Sequence, residues 1–202
     1  MLRYLLDPAN AITAAGLLCS AGALYLAMAG RPELAIAAAL WAVLADHLDG
    51  VVARRSVNRA PEMGRMGKSL DGFADLVYGA VVPALLIIEL SQTSVLSYVT
   101  ASLLLLAGAL RLSYFNNFGL SSGGHFTGVP LSYDVPLLAA FMLARYWIPP
   151  EHFTTVLNLT FLALAALHVA SIPVPSLSRA MYGVVTLYSV TASAVLAVRG
   201  LA

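Results

Sequence analysis

ADHLDGVVARR, residues 45–55, closes a run made almost wholly of Ala, Leu, Val, Ile and Trp. Two aspartates, a histidine and two arginines interrupt that run where a membrane-spanning helix would reach its edge. Read as a helix, Asp46, Asp49, Gly50 and Ala53 fall at i, i+3, i+4 and i+7 and share one face. Charge this deep in an apolar segment marks function by default, because each carboxylate is costly to take out of water.

The rest of the chain puts that run in a membrane. Of 202 residues, 60% are hydrophobic and 10% charged, with a mean hydropathy of +0.84. A soluble domain would carry about a quarter charged residues. Spans of about 20 apolar residues are expected at 11–29, 34–54, 68–90, 95–116, 131–148, 152–171 and 177–199. The fold expected is an all-α, polytopic transmembrane helical bundle of six to seven spans, in one domain over 1–202. MLRYLLDPAN precedes the first span as a short interfacial helix, with Asn10 as the expected cap. A net charge of +1 argues against a nucleic-acid partner, which would need a basic face. Cys19 reads as a packed small residue, Trp41 as a packing residue, and Tyr146 and Trp147 as interface anchors.

Lys and Arg give an orientation. With the N-terminus inside, Arg3, Arg54, Arg55, Arg59, Arg65, Lys68, Arg111 and Arg179 fall on the cytoplasmic side, and Arg31, Arg145 and Arg199 on the other. The expected location is the cytoplasmic membrane, with the DHLDG end facing the cytoplasm.

A second acidic stripe follows a polar connector. In GKSLDGFADLVYG, Gly67, Asp71 and Asp75 fall at i, i+4 and i+8, again on one face. Consecutive helices joined at one side make antiparallel neighbours, so the two stripes can converge. Four carboxylates that close need compensation. Hard divalent cations supply it, Mg²⁺ or Mn²⁺ being suited to oxygen ligands. Four Asp in two pairs suffice for two such ions. His47 turns off the acidic face and reads as a packing residue. Small residues on the same faces leave a notch beside the acids, or else serve helix packing.

Asp46-x-x-Asp49-Gly50-x-x-Ala53-Arg54 followed by Gly67-x-x-x-Asp71-x-x-x-Asp75 resembles the signature of the CDP-alcohol phosphatidyltransferases. The connector between Arg54 and Gly67 is longer than the family usually has. PANAIT (8–13) is also similar to the start of the family's first helix. The resemblance implies an integral membrane enzyme that moves the lipid-phosphoryl group of a CDP-linked lipid to an alcohol and releases CMP. It assigns Asp46, Asp49, Asp71 and Asp75 as metal ligands and Asp75 also as the general base. Asp46, Gly50, Ala53, Arg54 and Gly67 would line the CDP-lipid site.

GALRLSYFNNFGLSSGGHFTGVPLSY (108–133) bears on the acceptor. Leu110-Arg111-Leu112-Ser113-Tyr114-Phe115-Asn116 and Phe126-Thr127-Gly128-Val129-Pro130 resemble the membrane-embedded phosphatidylserine synthase branch, as do MGRMGKSLDGFADLV and VASIPVPS. One departure is Leu131-Ser132, where that branch tends to carry a second proline. The implied donor is CDP-diacylglycerol and the favoured acceptor serine, with choline, inositol phosphate or glycerol phosphate as alternatives within the same chemistry. Arg111, Asn116 and His125 are the candidate acceptor-binding residues. Asn116 and Asn117 read as a helix end, and Asp134 either caps a helix or faces the acceptor cavity. The small and hydroxyl residues of 177–199 suit helix packing or a homodimer seam. A divalent-cation transporter is the remote alternative.

Overall fold

A computed structural model of the chain describes residues 1–56, 59–121, 123–176 and 178–202, apart from the side chain of Arg179. A 3-10 turn at Leu2–Leu6 leads into seven helices: α1 (Pro8–Met28), α2 (Pro32–Arg55), α3 (Pro61–Leu90), α4 (Val95–Phe118), α5 (Asp134–Ala144), α6 (Pro150–Val169) and α7 (Arg179–Leu201). All but α5 are long and apolar enough to cross a membrane. Side chains such as Leu18, Leu106, Leu187 and Val198 stand well exposed on the outer face of the bundle, where lipid would cover them. The expected start of the seventh span, residue 177, lies outside the described residues.

The expected fifth span, 131–148, holds only an 11-residue α-helix, continued at both ends by 3-10 turns at Leu131–Tyr133 and Arg145–Trp147. Together these give a rod of about 28 Å, close to the hydrocarbon thickness. It joins both ends of the bundle. Asp134, near its start, meets His168 at the end of α6, while Tyr146, in its last turn, lies under Arg199 near the end of α7. Arg31 donates to the Gly200 carbonyl at that second end, so Arg31, Arg145 and Arg199 gather opposite the aspartates, as the charge pattern predicts.

Several boundaries differ from the sequence reading, three of them with a clear local cause. The cap of α1 is Asp7, whose side chain accepts from the Asn10 N–H, because Pro8 takes the first helical position, where it has no donor to lose. Asn10 is thereby inside the helix and buried. Helix α3 starts at Pro61, well before the apolar run, because its first turns are amphipathic. Helix α4 runs past Asn116 and Asn117 to Phe118, where Gly119 (φ +66°) ends it.

The core lies where α1, α2, α3, α5 and α6 meet, around Ile36, Leu40, Leu86, Leu138 and Phe161. Trp41 lies beside the buried stripe of α2 rather than in it, and is 51% exposed toward lipid, not packed inside. Tyr146 and Trp147 project outward, as interface residues would. Cys19 is half-buried against the core. Helix α7 lies against α2 through Ala192, Leu196 and Ser193, whose hydroxyl donates to the Ala37 carbonyl. Ala192 and Ser193 thus serve packing within the chain, while Gly183, Thr186 and Thr191 on the same helix stay exposed.

Within α3, Val77–Val81 forms a π turn in which the Val82 N–H reaches the Val77 carbonyl. Pro83 explains it: without an N–H it cannot close a regular turn onto Gly79, and the wider turn absorbs the defect. Gly79 then lies so close to the 3-10 turn before α5 that an added Cβ would stand 2.7 Å from the Leu131 Cβ. This fixes Tyr78, one turn below Asp75, inside the bundle.

Candidate active site

The two acidic stripes converge, with α1 as the neighbour common to both helices. Asp46, Asp49 and Asp71 each place one carboxylate oxygen within 4.8 Å of the others. Asp75, the fourth acid of the two stripes, stands next to Asp46 but is not one of these three. Thr13, on α1, donates its hydroxyl to Asp49 in a short hydrogen bond. The Asp75 Oδ1 is buried and has no hydrogen-bond partner among the described residues. An orphaned carboxylate oxygen beside three more carboxylates is an arrangement that fits a hard divalent cation better than it fits a structural role.

A cleft of about 210 Å³ opens beside the cluster, lined by Gly50, Ala53, Gly67, Asp49 and Asp71 from the two stripes. Its small residues keep it open. A Cβ on Gly67 would run into the Asn10 side chain and stand 2.8 Å from Arg59 Nη2. Arg54 folds back over Gly50, its Nη1 3.4 Å from where a Cβ would sit. Along one wall, Arg59 donates from Nε to Asp7 Oδ1 (3.0 Å), and from Nη2 to Asp7 Oδ2 (2.7 Å) and Asn10 Oδ1 (2.8 Å). The hydrogen bond from Arg59 is the main reason the Asp7 carboxyl is held below its ordinary range.

A second cavity, about 170 Å³, is reached by Asp46 and Asp75 rather than by Asp49 and Asp71. Tyr78, Arg111, Phe126 and His47 line it together with Asp46 and Asp75. Arg111 is inward, 7% exposed, with its guanidinium 5.4 Å from the ring centres of both Phe115 and Phe126. Its Nε has no partner among the described residues. His47 packs edge-on against Tyr182, with ring centres 5.3 Å apart. Asn116 and His125 are exposed and line neither cavity; Asn116 sits over Gly72, and His125 lies in a short strand.

Sequence reasoning missed one buried pair. His168 places Nδ1 2.8 Å from the Val129 carbonyl and Nε2 3.1 Å from both carboxylate oxygens of Asp134, and neither side chain is exposed. Asp134 is therefore neither the cap, which is Tyr133, nor a lining residue. The pair pins the loop carrying Phe126 against the end of α6, helped by strand pairing of His125–Thr127 with Pro173–Pro175. The available signal was His168 directly after the apolar run 161–167 of α6.

The family model for CDP-alcohol phosphatidyltransferase matches residues 6–198. The archaetidylserine synthase of Methanothermobacter thermautotrophicus is 34% identical over 126 residues, which is 61% of this chain and 52% of that protein. The chain thus spans about half the length of the curated relative it matches.

Proposed function

Because this chain belongs to the CDP-alcohol phosphatidyltransferase family, we propose that it transfers the phosphatidyl group of CDP-diacylglycerol to the hydroxyl of L-serine. The products are phosphatidylserine and CMP, and the active site faces the cytoplasm of the cell membrane. The observation that supports this reading is the convergence of Asp46, Asp49 and Asp71 at an open cleft, with Asp75 next to Asp46 on the wall of a cavity that also holds an inward arginine.

Asp46, Asp49, Asp71 and Asp75 would hold two Mg²⁺ or Mn²⁺ ions, which when bound neutralise pyrophosphate charge and ease departure of CMP. The chain's own groups do the rest. Gly50, Ala53 and Gly67 admit the nucleotide against bare backbone, and Arg54 flanks it. Asp75, on the wall of the second cavity, takes the proton of the acceptor hydroxyl on a carboxylate oxygen as that hydroxyl attacks phosphorus. Arg111 anchors the serine carboxylate through charge-assisted hydrogen bonds. Its setting between two rings, with Nε unpartnered and no acid in hydrogen-bond contact among the described residues, suits it to that task. Phosphoryl transfer asks mainly for positioning and charge neutralisation, which this arrangement supplies.

The name of the archaeal relative supports serine, and it also favours a second reading of the lipid, with an archaetidyl group in place of the phosphatidyl group. Purified protein incubated with Mn²⁺, either CDP-lipid, and serine, choline, inositol phosphate or glycerol phosphate decides both points by CMP release. Serine-dependent CMP is expected. Release with another acceptor alone overturns the serine assignment, and no release with any combination overturns the transfer reading.

A further inference from the structure

At the end of the bundle opposite the aspartates, a cavity of about 600 Å³ opens between the starts of α2 and α6 and the ends of α3, α5 and α7. That volume is in the range of small-molecule sites. Arg145 and Arg199 line it, together with Gln92, Thr154 and a single acid, Glu33.

Both arginines are held in place. The Arg145 guanidinium lies 5.3 Å from the ring centre of Phe153, which is buried in the first turn of α6. The Arg199 guanidinium lies 5.3 Å from the ring centre of Tyr146. The backbone next to Arg199 is pinned as well. Arg31 donates to the Gly200 carbonyl at 2.9 Å, and a Cβ on Gly200 would stand 2.8 Å from the Leu34 Cγ. Stacking on a ring orients a guanidinium plane and leaves its edge N–H groups to meet an oxygen acceptor.

Their charge is not compensated within the chain. Among the described residues neither guanidinium forms an ion pair, although Glu33 lines the same cavity. Glu33 stands in the first turn of α2, where the helix dipole already favours a negative charge. Two cations against one acid leave the cavity positive, and both are exposed enough for a ligand to reach.

The rim carries backbone strain. Gln92 (φ +52°) and Thr93 (φ +54°) both sit in the left-handed region, which glycine enters freely and a β-branched residue enters only at a cost. Asn158, 1% exposed, holds this turn against α6 by donating to the Ser91 Oγ at 2.8 Å and to the Thr154 carbonyl at 2.7 Å. Strain that the surroundings hold in place in this way clusters at ligand sites.

We propose that this distal cavity binds a phosphate-bearing anion, its phosphate oxygens held by Arg145 and Arg199. Two planar forks suit a group with several oxygens better than a single point charge would. The site does not depend on the transfer reading, because it uses none of the residues around the aspartates. Its chemistry is common to a lipid headgroup at this edge of the membrane and to free phosphate in solution.

Trp147 follows Tyr146 directly and reports on the cavity once Trp41, the other tryptophan, is replaced by Phe. Fluorescence of Trp41→Phe protein in neutral detergent is titrated with inorganic phosphate, with dihexanoyl phosphatidic acid, and with sodium chloride at matched ionic strength. A saturable change with at least one phosphate probe, and none with chloride, is expected. Arg145→Gln and Arg199→Gln each raise the midpoint at least about tenfold, the loss expected for one charge-assisted contact. Arg145→Lys and Arg199→Lys keep the charge and recover part of that loss, which separates lost contact from misfolding. Arg65→Gln removes an exposed cation of α3 on the aspartate side and leaves the midpoint unchanged. A lower midpoint for dihexanoyl phosphatidic acid than for phosphate identifies a lipid headgroup as the source; equal midpoints, or a lower one for phosphate, identify the free ion. No saturable change with either probe, the same change with chloride, or midpoints unmoved in both Gln variants at Arg145 and Arg199 overturns the proposal.

Discussion

Removing the carboxylate of Asp7 tests how Arg59 is held along the wall of the cleft. Asp7 does two jobs: it caps α1, and it takes two hydrogen bonds from Arg59 at 3.0 and 2.7 Å. Loss of an N-cap costs about 1 kcal/mol. An exposed ion pair contributes about 0–1 kcal/mol, and a hydrogen bond to a charged group about 1.5–3 kcal/mol. With the Asp7 and Arg59 side chains 7% and 19% exposed, the pair sits between those limits, and a coupling of about 2 kcal/mol is expected. Asp7→Ala therefore destabilises by about 3 kcal/mol, whereas Asp7→Asn keeps the cap and loses only the charge. A double-mutant cycle with Arg59→Ala, read by unfolding in detergent, gives the coupling directly. The pH dependence follows from the depressed Asp7 value. The folded carboxyl titrates below the unfolded one, so its contribution is complete above about pH 4 and is lost as pH falls through the folded value. Asp7→Asn lacks that acid limb. Additive single losses, or an acid limb that survives in Asp7→Asn, would refute the clamp.

Asp75→Asn lowers turnover by about 10²–10⁴-fold, the range for a lost general base, while the protein stays monodisperse; near-normal CMP release in that variant would remove Asp75 from the role. Thr13→Val leaves Asp49 without the hydroxyl that orients it, and the Mn²⁺ concentration needed for half-maximal CMP release rises about 10–100-fold. Gly79→Val forces a Cβ to 2.7 Å from Leu131 and destabilises by about 1–3 kcal/mol, measured as earlier thermal unfolding. An unchanged transition would mean the π turn can shift away from the Leu131 turn.

Much of the fold was legible because lipid imposes a simple rule on sequence. Long apolar runs have to be helices, and the charges at their ends report which ends share a side. The acidic faces were legible for the same geometric reason, since residues three and four apart on a helix share a face whatever surrounds them. What sequence did not disclose depends on contacts between distant segments. Arg59 read as one more basic loop residue, yet it reaches back across the connector to Asp7 and Asn10. His168 lay hidden in an apolar helix because its partners, Val129 and Asp134, come from a different stretch of chain. The boundaries of α1 and α3 were misjudged because Pro8 and Pro61 start helices before hydropathy rises. Arg111 carried a local signal, a lone cation in an apolar helix, and it is buried in the bundle. Asn116 and His125 carried only resemblance, and the structure leaves both on the surface.

The central claim is that four aspartates on two helices form one site for hard cations at which a CDP-linked lipid is split. Anomalous scattering from crystals grown with Mn²⁺ and CDP tests it most directly. Manganese peaks enclosed by Asp46, Asp49, Asp71 and Asp75, with CDP in the cleft beside Gly50 and Gly67, are the predicted result. Manganese bound elsewhere, or CDP seated away from that cleft, would contradict it.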